Sequence, residues 1–162
     1  MRRRRWAAAV VLLLGGCGVQ PSRVTDAGDA PTGVAPGVTL FFIDDEGKLK
    51  PQQRETRRLG TVIEAVTLLL DAGDPGAGLR SEIKSDSVTR VPVTITEDTI
   101  ELHLPITARD VTPLGTDQIV CTALATHVQA GGSPRTTVRL HFTISGPGSD
   151  APRTCPLINP GR

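Results

Sequence analysis

The sequence predicts an α/β fold, with one mixed, largely antiparallel sheet and two helices packed on one of its faces. Two observations lead to this prediction: apolar residues recur at helical spacing in two segments, and they alternate with polar residues in several others. The predicted order is strand, helix, strand, strand, helix, strand, which is typical of a sheet covered by helices. At 162 residues the chain is long enough for one such core and short for two.

The first predicted strand is Val38–Ile43, an almost continuous run of apolar residues. It stops at the acidic segment 44–46, which could bind a cation but is interpreted as a solvated turn, because a calcium loop needs ligands at alternating positions. The polar segment 48–58 contains Pro51 and is interpreted as a loop or a short extended piece.

A first helix is predicted over 61–71. Thr61 and Glu64 have the spacing of a capping box, and Leu59 is placed to precede it as a hydrophobic staple. Apolar residues then follow at helical spacing until Gly73 ends the run.

A β-hairpin is predicted after the glycine-rich connection 74–86. Its strands cover 91–96 and 100–104, and Glu97 and Asp98 form the turn between them. The residues expected to face the core are Val91, Val93, Ile95, Ile100, Leu102 and Leu104.

The second predicted helix covers 116–129 and ends at two glycines, and the last predicted strand covers 136–144. The residues of this strand expected to point inward are Val138, Leu140, Phe142 and Ile144. The opposite face of the sheet is expected to be polar, with the side chains of Glu101, His103, Arg139 and His141.

The N-terminus predicts a secretory signal over 1–16. Four arginines precede the short apolar run 6–14, and the small residues Gly15 and Gly16 follow it. A permanent membrane-spanning helix needs about 20 apolar residues, so this run is too short to be one.

Leu14–Cys17 resembles the lipobox of bacterial lipoproteins, in which the cysteine becomes the first mature residue and carries diacylglycerol. The resemblance implies that Cys17 is lipidated and that the protein is anchored on the extracytoplasmic face of the cell membrane. Residues 17–37 are rich in Gly, Pro and Asp and are predicted to form a disordered tether. A folded domain over 38–146 and a proline-rich tail over 147–162 follow.

The folded segments resemble the GerMN domain, which is named after a spore-germination protein and occurs in actinobacterial lipoproteins. The resemblance lies in VTLFFIDDEGKLKPQQRE, AVTLLLDAGDPGAGLRSEI, QIVCTAL and VRLHFTISG, and it spans about 38–146. It implies an envelope protein of sporulation, cell-wall or signalling assemblies, and the family offers no settled catalytic residues. The sequence Gly73-Asp74-Pro75 departs from the family, which has Gly and Pro adjacent at this position.

Charge and motifs exclude several classes of function. Removing residues 1–16 takes four arginines from the 18 basic residues and leaves 14 against 17 acidic ones, a net charge of −3. Such a chain lacks the basic, aromatic-rich surface that nucleic acids require. The sequence contains no nucleophile elbow, phosphate loop or His-Glu-x-x-His motif, so no catalytic residue, cofactor or metal is expected.

Three histidines are candidate ligands or catalysts. His103 and His141 would meet if their strands were neighbours, and could then bind a metal with Glu101, but solvated surface histidines are favoured. His127 lies on the apolar side of the second helix and is interpreted as a half-buried structural residue. Arg54, Arg57 and Arg58 form a small basic cluster, which could meet anionic lipid or cell-wall phosphate but is interpreted as a solvated loop.

Lipidation of Cys17 leaves two cysteines, which are expected to pair in an oxidising compartment. A bridge from Cys121 to Cys155 would clamp the tail across the second helix.

Together these features predict a non-catalytic, lipid-anchored module that binds an envelope protein or a cell-wall component. The alternative is a cell-wall-active enzyme or a small-ligand-binding protein.

Overall fold

A computed structural model describes residues 37–56, 60–72, 74–76, 78–85 and 90–159. The predicted signal, Cys17, nearly all of the predicted tether, and Leu59, Arg57, Arg58 and Gly73 lie outside these residues. The elements are β1 (Val38–Asp44), β2 (Leu49–Arg54), α1 (Val62–Leu70), β3 (Leu79–Arg80), β4 (Val93–Ile95), β5 (Thr99–Leu104), α2 (Pro113–Gln129) and β6 (Thr137–Phe142). Within the described residues, no helix has the length and apolarity to cross a membrane.

The strands form two sheets of three strands, in the orders β2-β1-β3 and β4-β5-β6. The first sheet is antiparallel throughout, whereas β5 pairs antiparallel with β4 and parallel with β6. The α/β class is therefore confirmed. The prediction of one sheet is met only in part, and the predicted order of elements was wrong, because β2 and β3 stand between β1 and β4 on either side of α1.

The two additional strands carry little hydrophobic signal. β2 is an edge strand with the sequence LKPQQR, and most of its residues are exposed, so it has no apolar alternation. Pro51 is tolerated because an edge strand needs hydrogen-bond donors on one side only. β3 has two residues and exists through its pairing with Ile43 and Asp44 of β1, which no local pattern specifies.

The first helix begins and ends where the sequence predicts. Thr61 is the N-cap: its Oγ1 accepts from the Glu64 N–H at 3.2 Å, and the Glu64 carboxylate accepts from the Thr61 N–H at 3.0 Å. This reciprocal pair satisfies two of the N–H groups that a helix leaves without partners. The capping box is therefore confirmed.

The second helix starts three residues earlier than predicted. Thr112 is its N-cap and accepts from the Gly115 N–H at 3.1 Å, and Pro113 occupies the first turn. Proline is favoured there because its fixed φ suits the helix and the missing N–H would have no partner anyway. The threonine and proline are thus the true start signal.

The core lies between the helices and the two sheets. α1 and α2 pack against each other and against β1, and α2 also contacts β6. The inward residues of β5 and β6 include Ile100, Leu102 and Leu140, which are fully buried. Ile95 and Ile144 were predicted to point inward, but they are 49% and 64% exposed. Ile95 is the last residue of β4, and Ile144 lies two residues beyond the end of β6, so neither is in the buried interior of its strand.

A disulfide bond joins Cys121 of α2 to Cys155, as predicted, with their Cα atoms 4.7 Å apart. Both residues are fully buried. The tail also pairs with β6, because Val138 and Arg153 exchange two backbone hydrogen bonds of 2.8 and 2.9 Å. The segment around Arg153 therefore pairs with one edge of β6 through an antiparallel bridge.

Candidate functional site

The candidate site in the described part of the chain is a set of polar side chains on one face of the β4-β5-β6 sheet. Successive side chains of a strand point to opposite faces. In β5 this alternation buries Ile100, Leu102 and Leu104 and leaves Glu101 half-buried and His103 exposed. The polar face that the sequence predicts is therefore present.

The parallel register of β5 and β6 sets pairs of polar residues side by side. Thr99 pairs with Thr137, Glu101 with Arg139, and His103 with His141. The hydroxyl oxygens of the two threonines are 3.3 Å apart and share a hydrogen bond. These three pairs follow one another along β5 and β6 and form a polar ladder between the two strands.

His103 and His141 meet in this ladder. Their rings stack with centroids 4.8 Å apart and an interplanar angle of 16°. Glu101 lies two residues before His103 on the same face, and one potential ligand atom from each of the three side chains lies within 4.8 Å of the others. We call these three residues the His-His-Glu cluster.

Few hydrogen bonds or ion pairs from neighbouring described residues occupy the ligand atoms of the His-His-Glu cluster. The guanidinium of Arg139 donates to the carbonyl oxygen of Asp150 at 3.2 Å. In the described part of the chain, the Glu101 carboxylate forms neither an ion pair nor a hydrogen bond. The Nε2 atom of His141 is buried and likewise lacks a hydrogen-bond partner among the described residues.

A shallow depression of about 410 Å³ adjoins the histidine pair. His103, His141, Phe142 and Pro92 contribute to its walls, together with Arg90. The rings of His103 and His141 therefore border a depression that opens to solvent beside a partly apolar surface.

The third histidine has a structural role. His127 is half-buried near the end of α2, and its Nε2 lies 3.3 Å from the hydroxyl of Thr136, within a hydrogen bond. Gly132 packs so closely on the imidazole that a Cβ atom there would lie 2.1 Å from Nε2. The interpretation of His127 as a satisfied, half-buried residue is confirmed.

The acidic segment 44–46 forms a turn closed by its own backbone. Asp44 Oδ1 accepts from the N–H groups of Lys48 and Glu46, at 2.8 and 3.0 Å. The hydrogen bond from the Lys48 N–H, together with the ammonium of Lys50 at 3.5 Å, lowers the pKa of the Asp44 carboxyl against a smaller opposing effect of desolvation. The Asp44 carboxylate thus stabilises the turn between β1 and β2 by accepting these hydrogen bonds.

Sequence reasoning missed two buried polar residues of α2 that bond to the backbone of β1. They are Gln118 and Thr122, and both are fully buried. Both residues lie outside the apolar stripe predicted for this helix, so no local sequence pattern indicated their burial.

Comparisons of the chain with protein-family models, with curated proteins and with solved structures gave no match. The resemblance to GerMN domains accordingly stays a prediction.

Proposed function

We propose that this protein is a lipid-anchored module of the bacterial cell envelope that binds a partner without catalysing a reaction. The observation that carries the proposal is the buried disulfide between Cys121 and Cys155. Disulfides persist in exported proteins and are rare in the reducing cytosol. The bond therefore supports an extracytoplasmic location.

The N-terminus supports attachment to the membrane. Arg2–Arg5, the short apolar run and Leu14–Cys17 have the order of a lipoprotein signal. Lipidation of Cys17 would hold the domain at the membrane surface, since two or more acyl chains give stable anchoring where one gives marginal binding.

The described side chains favour binding over catalysis. Cys121 and Cys155 are joined in the disulfide and offer no thiolate nucleophile. His127 is engaged with Thr136 and packed beneath Gly132, which restrains it from acting as a general base. The resemblance to GerMN domains agrees with a partner in the envelope, either a protein or a cell-wall component.

Metabolic labelling with a fatty acid tests the anchor. We expect label in the wild-type protein and none in Cys17→Ser, which should also leave the membrane fraction. The double variant Cys121→Ser, Cys155→Ser is the matched control, because it removes the other two cysteines and should keep its label. Membrane retention of unlabelled Cys17→Ser would overturn the anchor.

Crosslinking in intact envelopes, followed by identification of the captured species, tests the binding role. One recurrent protein or wall fragment attached to residues of the domain 38–146 would support it. A domain that captures no partner above the level of an unrelated lipid-anchored domain would contradict it.

A further inference from the structure

We propose that Glu101, His103 and His141 bind a divalent transition-metal ion of the zinc type, with a coordination position left open to solvent. Two imidazoles and one carboxylate are a ligand set suited to Zn²⁺, which commonly has three protein ligands and one exchangeable ligand in open sites. The site is separate from the lipid anchor, so the proposal stands or falls independently of it.

The backbone holds the three residues in place before any metal arrives. Glu101 and His103 are on the same face of β5, and His141 is the register partner of His103 on β6. A ladder of parallel strands fixes the Cα positions of all three. Binding therefore requires the side chains to rotate, and no loop has to be ordered.

The distances allow that adjustment. The ligand atoms lie within 4.8 Å of one another. Tetrahedral Zn²⁺ with bonds of about 2.0–2.1 Å holds its ligand atoms roughly 3.4 Å apart. His103 is exposed and Glu101 half-buried, so their χ angles can close the gap of about 1.4 Å between these two values.

The local charges favour a cation at this position. Glu101 supplies a carboxylate that has no ion-pair partner in the described part of the chain, and the nearby Arg139 is directed to the Asp150 carbonyl. Arg90 on the rim of the depression opposes the metal charge, but its side chain belongs to an exposed residue and can turn into water.

The unpaired Nε2 of His141 is a second sign of a missing partner. Buried polar atoms nearly always have a hydrogen-bond partner, and each exception calls for an explanation such as an ion or a water molecule. A metal bound to the cluster would fix the tautomer and orientation of this ring. Both imidazoles would then coordinate the same metal ion and would no longer stack on each other.

Mg²⁺ and Ca²⁺ are excluded as the preferred ions by the donor set. Both ions take oxygen ligands, and Ca²⁺ needs six to eight of them, whereas the cluster offers two nitrogens and one carboxylate. The open position on Zn²⁺ is available to water or to a donor group of a bound partner.

Calorimetric titration of the full chain with ZnCl₂ tests the site. The protein should carry no affinity tag and should contain Cys17→Ser, so that neither added histidines nor the thiol binds zinc. We expect one Zn²⁺ per chain and an increase in the unfolding temperature. His103→Ala and His141→Ala should each weaken binding by at least about tenfold, since even loss of an outer-shell partner commonly costs that much.

Matched controls separate the cluster from general effects. Glu101→Gln should weaken binding, whereas Glu97→Gln, in the exposed turn of the same hairpin, should not. His127→Ala removes the histidine outside the cluster and should retain one Zn²⁺ per chain. The metal-free unfolding temperature of each variant shows that it is folded.

Co²⁺ provides a readout beyond affinity, because its visible absorption reports the coordination geometry. Bands of a four- or five-coordinate ion in the wild type, lost in His103→Ala, would support the proposal. Zinc binding that is equal in the wild type and in both histidine variants would overturn it, and so would no binding at millimolar Zn²⁺.

Discussion

Gln118 of α2 holds the backbone of Phe41 in β1, since its Nε2 donates to the Phe41 carbonyl oxygen over 2.9 Å. Its Oε1 accepts from the Glu82 N–H at 2.8 Å, so the amide bridges two backbone segments. β3 pairs only with Ile43 and Asp44. A helix side chain therefore supplies the hydrogen bond that a longer β3 would have made to β1.

Gln118→Leu should lower the free energy of unfolding by about 2–4 kcal/mol. The substitution keeps much of the side-chain volume but leaves the buried Phe41 carbonyl and the partly buried Glu82 N–H without these partners. A buried unpaired group costs about 1–3 kcal/mol, and a partly buried one costs less. Chemical denaturation measures the change. Gln53→Leu, on the exposed edge strand β2, is the control and should change stability by less than about 0.5 kcal/mol.

Thr122→Val should be more destabilising than Thr126→Val, although both threonines are buried on α2 one turn apart. The Thr122 hydroxyl accepts from the Phe41 N–H at 3.0 Å, and valine would leave this buried donor unpaired, at about 1–3 kcal/mol. The Thr126 hydroxyl donates to the Thr122 carbonyl at 2.9 Å, which as part of the helix already has a backbone donor. Equal losses in the two denaturation curves would contradict this distinction.

The elements with strong local signals could be predicted from the sequence. The capping box fixes the start of α1, because its two hydrogen bonds involve residues only three positions apart. The hairpin of β4 and β5 likewise follows from alternation on both sides of a turn. β2 and β3 could not be found in this way, since their stability depends on pairing with β1 and on no apolar face of their own.

The candidate site could be predicted only in part. Alternation places His103 and His141 on polar faces of their strands, but their contact depends on the register of β5 against β6. A shift of two residues would keep both side chains on the same face and pair His103 with Arg139 instead. That register depends on how the buried faces of β5 and β6 pack in the core, and a local sequence pattern does not contain this information.

Stability should fall in acid partly through Asp110. Its Oδ2 accepts from the Thr107 hydroxyl at 2.7 Å and from the Thr107 N–H at 2.8 Å. These hydrogen bonds, the side-chain one foremost, lower the pKa of the Asp110 carboxyl in the folded protein, against a smaller effect of desolvation. Because the folded pKa is below the unfolded value of about 3.9, the stabilisation is present above that pH and is lost as the pH falls through the folded pKa.

Asp110→Asn should therefore reduce the loss of stability between about pH 4 and the acid limit, because an amide has no proton to gain in this range. Thr107→Val keeps the backbone donor and removes the hydroxyl, so its pH dependence should lie between those of the wild type and Asp110→Asn. Denaturation curves at a series of pH values measure all three proteins. An Asp110→Asn curve parallel to that of the wild type would show that this carboxyl does not contribute.

The disulfide is expected to stabilise the fold by restricting the unfolded chain, and in the folded protein it ties the tail to α2. It closes a loop with a sequence separation of 34 between Cys121 and Cys155. On the chain-entropy model such a loop contributes roughly 3–4 kcal/mol, through the conformations it removes from the unfolded chain. The burial of both cysteines adds packing that the model does not count.

Replacing both cysteines in Cys121→Ala, Cys155→Ala should lower the free energy of unfolding by about 3 kcal/mol or more. The tail should also loosen, because the Val138 N–H donates to Arg153 in the tail, whereas the adjacent Thr137 N–H donates to Asp98 beside β5. For each amide, the hydrogen-exchange rate in the variant is compared with that of the same amide in the disulfide-bonded protein. The acceleration should be larger at Val138 than at Thr137. In that protein, with Cys17→Ser, thiol titration after denaturation without reductant should find no free thiol. Two reactive thiols, or equal acceleration at both amides, would contradict a tail held by this bond.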